Sequence, residues 1–282
     1  MKFTFFDGKD NVNTQERNID GLVNGGYDIF LVNLHDKNGN LVEYTINKVK
    51  QINKPLILFN IEPSTIKPTL KSYNKLIIID NDYIQASIIE GKILINEWNN
   101  NRNYIDKNND KMLQYIMLIN KNKDLSALND MKYTILTLNN AGIKTQELAS
   151  KICILNKSCD ISTIQNVFMR FGDKIEAIIT NDDSMSMSTV EILQKYGYNK
   201  GNPSKYITLV GIDGTPATRE LVDKGFMSGT VFQDSNELAN TIYAVGMNLV
   251  SNRDPLYGVN YAYNETGNTI EMPYIEYKKT IG

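Results

Sequence analysis

Glu176-Ala-Ile-Ile-Thr-Asn-Asp-Asp-Ser-Met-Ser-Met187, Ile207-Thr-Leu-Val-Gly-Ile-Asp-Gly-Thr-Pro216 and Ser228-Gly-Thr-Val-Phe-Gln-Asp234 share one design. In each, a short apolar run gives way to a polar residue and then to residues that start helices. Asp182, Asp213 and Gln233 stand at those junctions. A strand apolar on both faces belongs in a parallel sheet covered by helices, and such sheets bind small polar ligands where strand gives way to helix.

The same pattern extends outward. Tyr27 to Leu34, Pro55 to Phe59, Lys75 to Ile79 and Tyr115 to Ile119 read as buried strands. Leu41 to Ile52 and Asp82 to Asn99 read as helices between them. The chain is therefore an alternating α/β protein. Thr215 with Pro216 marks a helix start over Ala217 to Lys224, and Gly225 its stop. Asp234 with Glu237 opens a helix whose apolar face is Leu238, Ile242, Val245 and Leu249. Asp183 and Asp234 read as helix caps.

With 282 residues the chain can bury two modest cores, and 41% hydrophobic with 22% charged residues is ordinary for a globular protein. Thirty basic against 32 acidic residues leave a formal charge of −2, which gives no electrostatic footprint for nucleic acid. No apolar run reaches the ~20 residues of a membrane span. The start, Met-Lys-Phe-Thr-Phe-Phe-Asp-Gly, carries no signal-peptide pattern. One histidine, His35, excludes a multi-histidine metal site. Cys153 and Cys159 read equally as a small disulfide loop or as two thiols. No nucleophile-base pair or cofactor motif stands out, so the expected role is binding and not catalysis.

Asp106-Lys-Asn-Asn-Asp-Lys-Met-Leu-Gln114 reproduces the first nine positions of a calcium loop. Side-chain oxygens alternate at Asp106, Asn108 and Asp110, Met112 offers its carbonyl, and Gln114 an amide. The twelfth position, which needs a bidentate Glu, is Met117, so the last carboxylate must come from elsewhere. The sixth position, where the turn favours positive φ, is Lys111, at a cost of roughly 1 kcal/mol. A solvated polar loop is the other reading.

The strand-to-helix junctions, with Phe59-Asn-Ile-Glu-Pro-Ser, Asn139-Asn-Ala-Gly-Ile-Lys-Thr and Lys174-Ile-Glu-Ala-Ile-Ile, make the chain resemble the bacterial galactose/glucose-binding proteins. These are extracytoplasmic sugar receptors of ABC transport and chemotaxis. The resemblance implies an α/β, two-lobed periplasmic-binding-protein type I fold with parallel doubly wound sheets and the ligand between the lobes. The lobes would be 1–79 plus 235–267 and 80–234 plus 268–282, with crossings near Asp80, Asp234 and Gly267. It implies that Asn60 bonds a sugar hydroxyl, that Asp213 binds the sugar with both oxygens, and that Asp182 and Gln233 replace asparagines of the site. Glu176 would complete a structural calcium (Ca2+) site.

At other matched positions the chain departs from the family. Asp124, Ser126 and Asp130 stand where the family has His, Asp and Arg, and Cys159 where a tryptophan stacks on the sugar. Trp98 reads as packing. A stack and an Arg contact contribute on the order of 1–3 kcal/mol each, so hexose affinity is expected to be weak. The family's first strand and helix have no counterpart, leaving Lys2 to Phe6 and Tyr27 to Leu34 without a shared neighbour. Those strands are expected either to close on each other or to recruit a second copy in a homodimer. The expected function is an extracytoplasmic sugar receptor serving a membrane transporter, anchored as a lipoprotein in a Gram-positive source. The alternative is a non-transport sensor that has lost hexose and partners a membrane signalling protein.

Overall fold

The computed structural model describes residues 2–34, 39–61, 66–120, 127–153 and 161–279. The chain forms two compact units, Met1–Asn81 with Asp234–Met272, and Asp82–Gln233 with Pro273–Gly282.

In the first unit, α1 (Val12–Val23), β1 (Phe30–Val32), α2 (Asn40–Gln51), β2 (Leu56–Phe59), α3 (Pro68–Lys71) and β3 (Leu76–Asn81) alternate. The sheet order is β1-β2-β3-β9, all parallel, with β9 arriving late as Thr269–Met272. Side-chain parity builds the layers. Phe30, Leu56, Leu58, Leu76 and Ile78 face α1, α2 and α3, while Ile57, Ile77, Ile79 and Ile270 face Val245 and Leu249 of α9 (Ser235–Val250). A period of two therefore places alternate apolar residues in two separate cores.

The second unit repeats the arrangement. It contains α4 (Tyr83–Ile105), β4 (Met112–Asn120), α5 (Ala127–Asn140), β5 (Lys144–Cys153), α6 (Ile161–Phe171), β6 (Ala177–Thr180), α7 (Asp183–Lys195), β7 (Thr208–Ile212), α8 (Pro216–Asp223), β8 (Gly229–Gln233) and β10 (Tyr274–Lys278). The order is β10-β8-β7-β6-β4-β5, parallel except that β10 runs against β8. Leu113, Tyr115, Met117, Ile179, Val210 and Val231 pack with Trp98 and α4. Ile116, Leu118, Ile178 and Leu209 pack on the opposite face with α6 and α7. Trp98 is a core residue, buried as its helical position suggests.

Four expectations need correction. Lys2 to Phe6 forms no strand, and β1 keeps only three of the eight residues from Tyr27 to Leu34, so the two do not close on each other. Without a ladder partner on that side, an apolar run has nothing to extend its strand geometry. The last crossing falls after Met272, not near Gly267, because β9 pairs with β3 through Met272. Asp183 is not a cap: Asp182 caps α7, accepting from the Ser184 and Met185 N–H groups at 2.8 and 3.2 Å. Finally, α4 runs to Ile105, past Asn99, and absorbs a kink at Asn101 (φ −124°). Asp234 does cap α9, and Thr215 caps α8. No described helix is long and apolar enough to cross a membrane.

Asn199, fully buried at φ 49°, holds the path from α7 into β7. Its amide donates to the Ile207 and Phe226 carbonyls at 2.9 Å each, and its Oδ1 accepts from Ile207 N–H at 2.9 Å. Removing it leaves three buried backbone groups unpaired, each worth roughly 1–3 kcal/mol. Asn199→Ala is therefore expected to destabilise the protein by about 2–4 kcal/mol in denaturant unfolding. A change under about 0.5 kcal/mol would show that water replaces the clip.

Candidate functional site

In the second unit the carboxyl ends of parallel strands gather Asn120, Asn181, Asp182, Asp213 and Gln233 along one sheet edge. β7 ends at Ile212, and Asp213 follows in a backbone conformation, φ 126°, that side chains rarely adopt. Its N–H donates to the Val231 carbonyl at 2.8 Å, and its carboxylate is exposed. Strain of this kind costs on the order of 1–3 kcal/mol and persists only where neighbours over-determine it.

Asp183 is the chief of those neighbours. Its carboxylate is 1% exposed, accepts from Thr215 N–H at 2.7 Å and from the Thr230 hydroxyl at 3.0 Å, and so ties α7 to the turn after β7 and to β8. Burial pushes its pKa up, the Thr215 N–H bond opposes that, and the nearby Asp213 charge adds to it. Gly211 makes the arrangement possible. A Cβ there would overlap the Ser186 Oγ and crowd the Asp183 and Thr180 oxygens. Thr180 and Ser186 share a 2.5 Å hydroxyl contact beneath the turn.

Arg219 holds the other side. Its Nε donates to the Gly214 carbonyl at 2.8 Å, and its guanidinium lies 3.9 Å from the Phe232 ring centroid and 5.3 Å from that of Tyr277. Neither Asp183 nor Arg219 was legible as part of the site. The arginine falls in mid-helix, and the acid stands beside a better cap.

Asp182 is largely engaged. It caps α7, also accepts from Ser184 Oγ, and receives Asn120 Nδ2 at 3.0 Å. Asn181 exchanges bonds with the Asn120 main chain, at 2.7 and 3.2 Å. Gln233 ends β8, half-buried. In the first unit Asn60 follows β2 at φ 56°, half-buried. Asp124, Ser126, Cys159 and His35 lie outside the described residues, as do the side chains of Asp130 and Cys153.

At the opposite, amino-terminal sheet edge, the loop Asp106 to Gln114 is closed by Glu176. One Glu176 oxygen accepts from Lys107 N–H at 2.9 Å, at the loop's start, and the other from Gln114 N–H at 2.9 Å, at its end. Asp106 Oδ2 accepts from Lys111 N–H at 3.1 Å, and Asp110 Oδ1 from Met112 N–H at 2.8 Å. Lys111 takes the positive φ, 65°, that its loop position calls for. Asp106 Oδ1 is buried without a hydrogen-bond partner. Burial pushes Glu176 up to about 7, against two backbone hydrogen bonds, and the Asp106 and Asp110 charges add to the rise. Burial also lowers Lys107 to about 8, against Asp173 and Glu176. Among the described residues, no three His, Cys, Asp or Glu side chains already converge on one point as a metal would require. The donor set and the orphaned Asp106 oxygen nonetheless suit a hard divalent cation.

Known proteins place this geometry. The chain is 24% identical over 276 residues, 98% of its length and 79% of the relative's, to the D-galactose/methyl-galactoside binding periplasmic protein of Haemophilus influenzae. Its fold matches an ABC transporter solute binding protein from Bacillus halodurans with bound myo-inositol (TM-score 0.70, 16% identity, 98% of this chain and 83% of that one). It also matches one from Actinobacillus succinogenes with bound D-allose (TM-score 0.69, 14% identity, 98% and 85%). The family model described as periplasmic binding protein domain covers residues 1–254, and the chain belongs to that family.

Proposed function

We propose that this chain is an extracytoplasmic solute receptor for sugars or related polyols, delivering its ligand to a membrane transporter, with one structural calcium. The observation that carries the receptor reading is backbone strain at two strand ends. Asn60 (φ 56°) and Asp213 (φ 126°) are the two polar residues that match the sugar-receptor pattern by identity, and both adopt conformations that cost energy. An exposed carboxylate on a rigid, strained turn accepts two hydroxyl hydrogens of a vicinal diol, and Gln233, at the next strand end of the same unit, donates or accepts as the hydroxyls require. A galactose-binding relative and neighbours holding myo-inositol and D-allose agree with that ligand class.

Calcium is supported by the loop. Asp106, Asn108, Asp110, the Met112 carbonyl, Gln114 and Glu176 would hold it; burial is the main cause that pushes Glu176 upward, and the ion would offset both that and the smaller contribution of the Asp106 and Asp110 charges. The ion serves structure and no chemistry of the ligand. It should bind with about seven oxygens, and chelation should lower the melting temperature. Glu176→Gln should melt like the chelated protein and gain nothing from added calcium. A melting curve unmoved by both chelator and calcium would remove the ion from this account.

The expected ligand affinity is modest. With Asp130 and Cys159 where the family carries Arg and Trp, glucose and galactose should bind no tighter than roughly the high micromolar range by calorimetry. Asp213→Ala should weaken the best ligand of a sugar and polyol panel at least about tenfold, with unfolding measured alongside because alanine is disfavoured at φ 126°. Submicromolar hexose binding would show that the replaced positions are misassigned. Heat from no sugar or polyol at millimolar concentration would sink the receptor reading.

A further inference from the structure

Asp213 is followed by Gly214 and Thr215, and one peptide group joins those two residues. Both of its polar atoms are taken by charged side chains. The Gly214 carbonyl accepts from Arg219 Nε at 2.8 Å, and the Thr215 N–H donates to Asp183 Oδ2 at 2.7 Å. In a trans peptide the carbonyl and the N–H point in opposite directions. The guanidinium and the carboxylate therefore sit at opposite ends of one peptide dipole, each at the end its charge favours. Such charge-assisted bonds are the strong ones, and polarisation of the shared group by one strengthens the other.

The surrounding turn shows why a clamp is needed at this point. Gly214, at φ 58°, is the one residue between Asp213 and the clamped group, and glycine on its own resists rotation poorly. No larger residue can stiffen it, because a Cβ there would come within 2.4 Å of the Phe232 Cβ. The Gly214 N–H donates to the Thr230 hydroxyl at 3.3 Å, and that hydroxyl donates to the other Asp183 oxygen at 3.0 Å. Beyond the clamp, Thr215 (φ −60°, ψ 153°) runs into Pro216, which restricts it to an extended backbone. Arg219 is carried by α8 and packs on the Phe232 ring, 3.9 Å from its centroid, so the donor is itself positioned.

We propose that Arg219 is a positioning residue for ligand recognition at Asp213, acting together with Asp183 through the Gly214–Thr215 peptide group that lies between their charges. The inference rests on the receptor reading above. A carboxylate that takes two hydroxyls of one diol has to be aimed to within roughly 0.5 Å, and supporting groups supply that aim. Without the clamp Asp213 keeps its charge and loses its direction.

The test uses the whole chain, with D-galactose, D-glucose, D-allose and myo-inositol as calorimetric probes, and amide exchange at Thr215 in the absence of all four. Arg219→Met keeps apolar packing on Phe232 and removes the donor. It should weaken the tightest-bound probe about tenfold and speed Thr215 exchange by a similar factor, with circular dichroism unchanged. Arg219→Lys, which returns a cationic donor within reach of the carbonyl, should recover part of both. Asp183→Asn keeps the shape of the buried side chain and removes its charge. Combined with Arg219→Met it should cost less than the two single losses multiplied together, because both act on one peptide group. Unchanged affinity or unchanged Thr215 exchange in Arg219→Met overturns the proposal. So does Arg219→Lys behaving no better than Arg219→Met, or single losses that simply multiply. A wild-type protein that takes up none of the probes sinks the receptor reading instead, and exchange at Thr215 still decides the clamp.

Discussion

The Asp183 carboxylate, buried between the Thr215 amide and the Thr230 hydroxyl, ties the start of α7 to the turn after β7 and to β8. A buried carboxylate left unpaired costs several kcal/mol, so its partners are effectively obligatory. Meeting that demand fixes the turn after β7, and the turn in turn forces Asp213 into φ 126°. Gly211 follows from the same constraint, because the side chains packed against β7 there leave no room for a Cβ. Burial is the main cause of the rise at Asp183 and the Asp213 charge adds to it, so the turn is held against some electrostatic repulsion as well as strain. A cation or a network of hydroxyl donors arriving at Asp213 would relieve part of that repulsion.

The two units manage their sheet edges differently. In the second, one edge is β10, antiparallel and paired along five residues with β8, and the other is β5, a ten-residue strand matched to β4 with a bulge at Tyr115/Ile116. In the first, β9 closes one side by pairing with β3, while β1, three residues long, ends the other. Shortening an edge strand is one way of blunting it, and the exposed phenylalanines beside it work in the opposite direction.

Legibility in the sequence follows from what each signal encodes. β2, β3, β4, β6 and β7 show as continuous apolar runs because both faces are buried, and their ends appear where Asn60, Asp182 and Asp213 stand. Thr215 and Asp234 announce helices by local hydrogen bonds that depend on sequence spacing alone. Lys2 to Phe6 misled, since its apolar pattern reads as a strand while the segment pairs with no strand among the described residues. Asp182 and Asp183 could not be ranked from sequence, because which acid caps depends on the φ/ψ of Asp182, −156° and 127°, and which is buried depends on Thr230, 47 residues on. Arg219 was invisible for the same reason: its partners are a carbonyl in the preceding turn and rings on β8 and β10.

The Asp106 to Gln114 loop and the Asp213 turn occupy opposite edges of one sheet. Glu176 precedes β6 and the loop enters β4, whereas Asp182 and Asp213 follow β6 and β7. A strand advances about 3.3 Å per residue, so four or five residues of β6 and β7 separate the two sites by roughly 13–17 Å. At that distance an exposed charge is largely screened at physiological ionic strength, and an ion in the loop exerts little direct pull on a ligand. Its influence must pass through the strands. Glu176 fastens both ends of the loop to the start of β6, and β6 lies between β4 and β7 in the sheet. Occupancy would therefore change how firmly the sheet that presents Asp213 is held, and leave the shape of the turn unaltered. On the proposed reading, stability and ligand affinity would thus be separable in this unit, the first set by Glu176 and the loop, the second by Asp183, Gly211 and Arg219 around the strained turn.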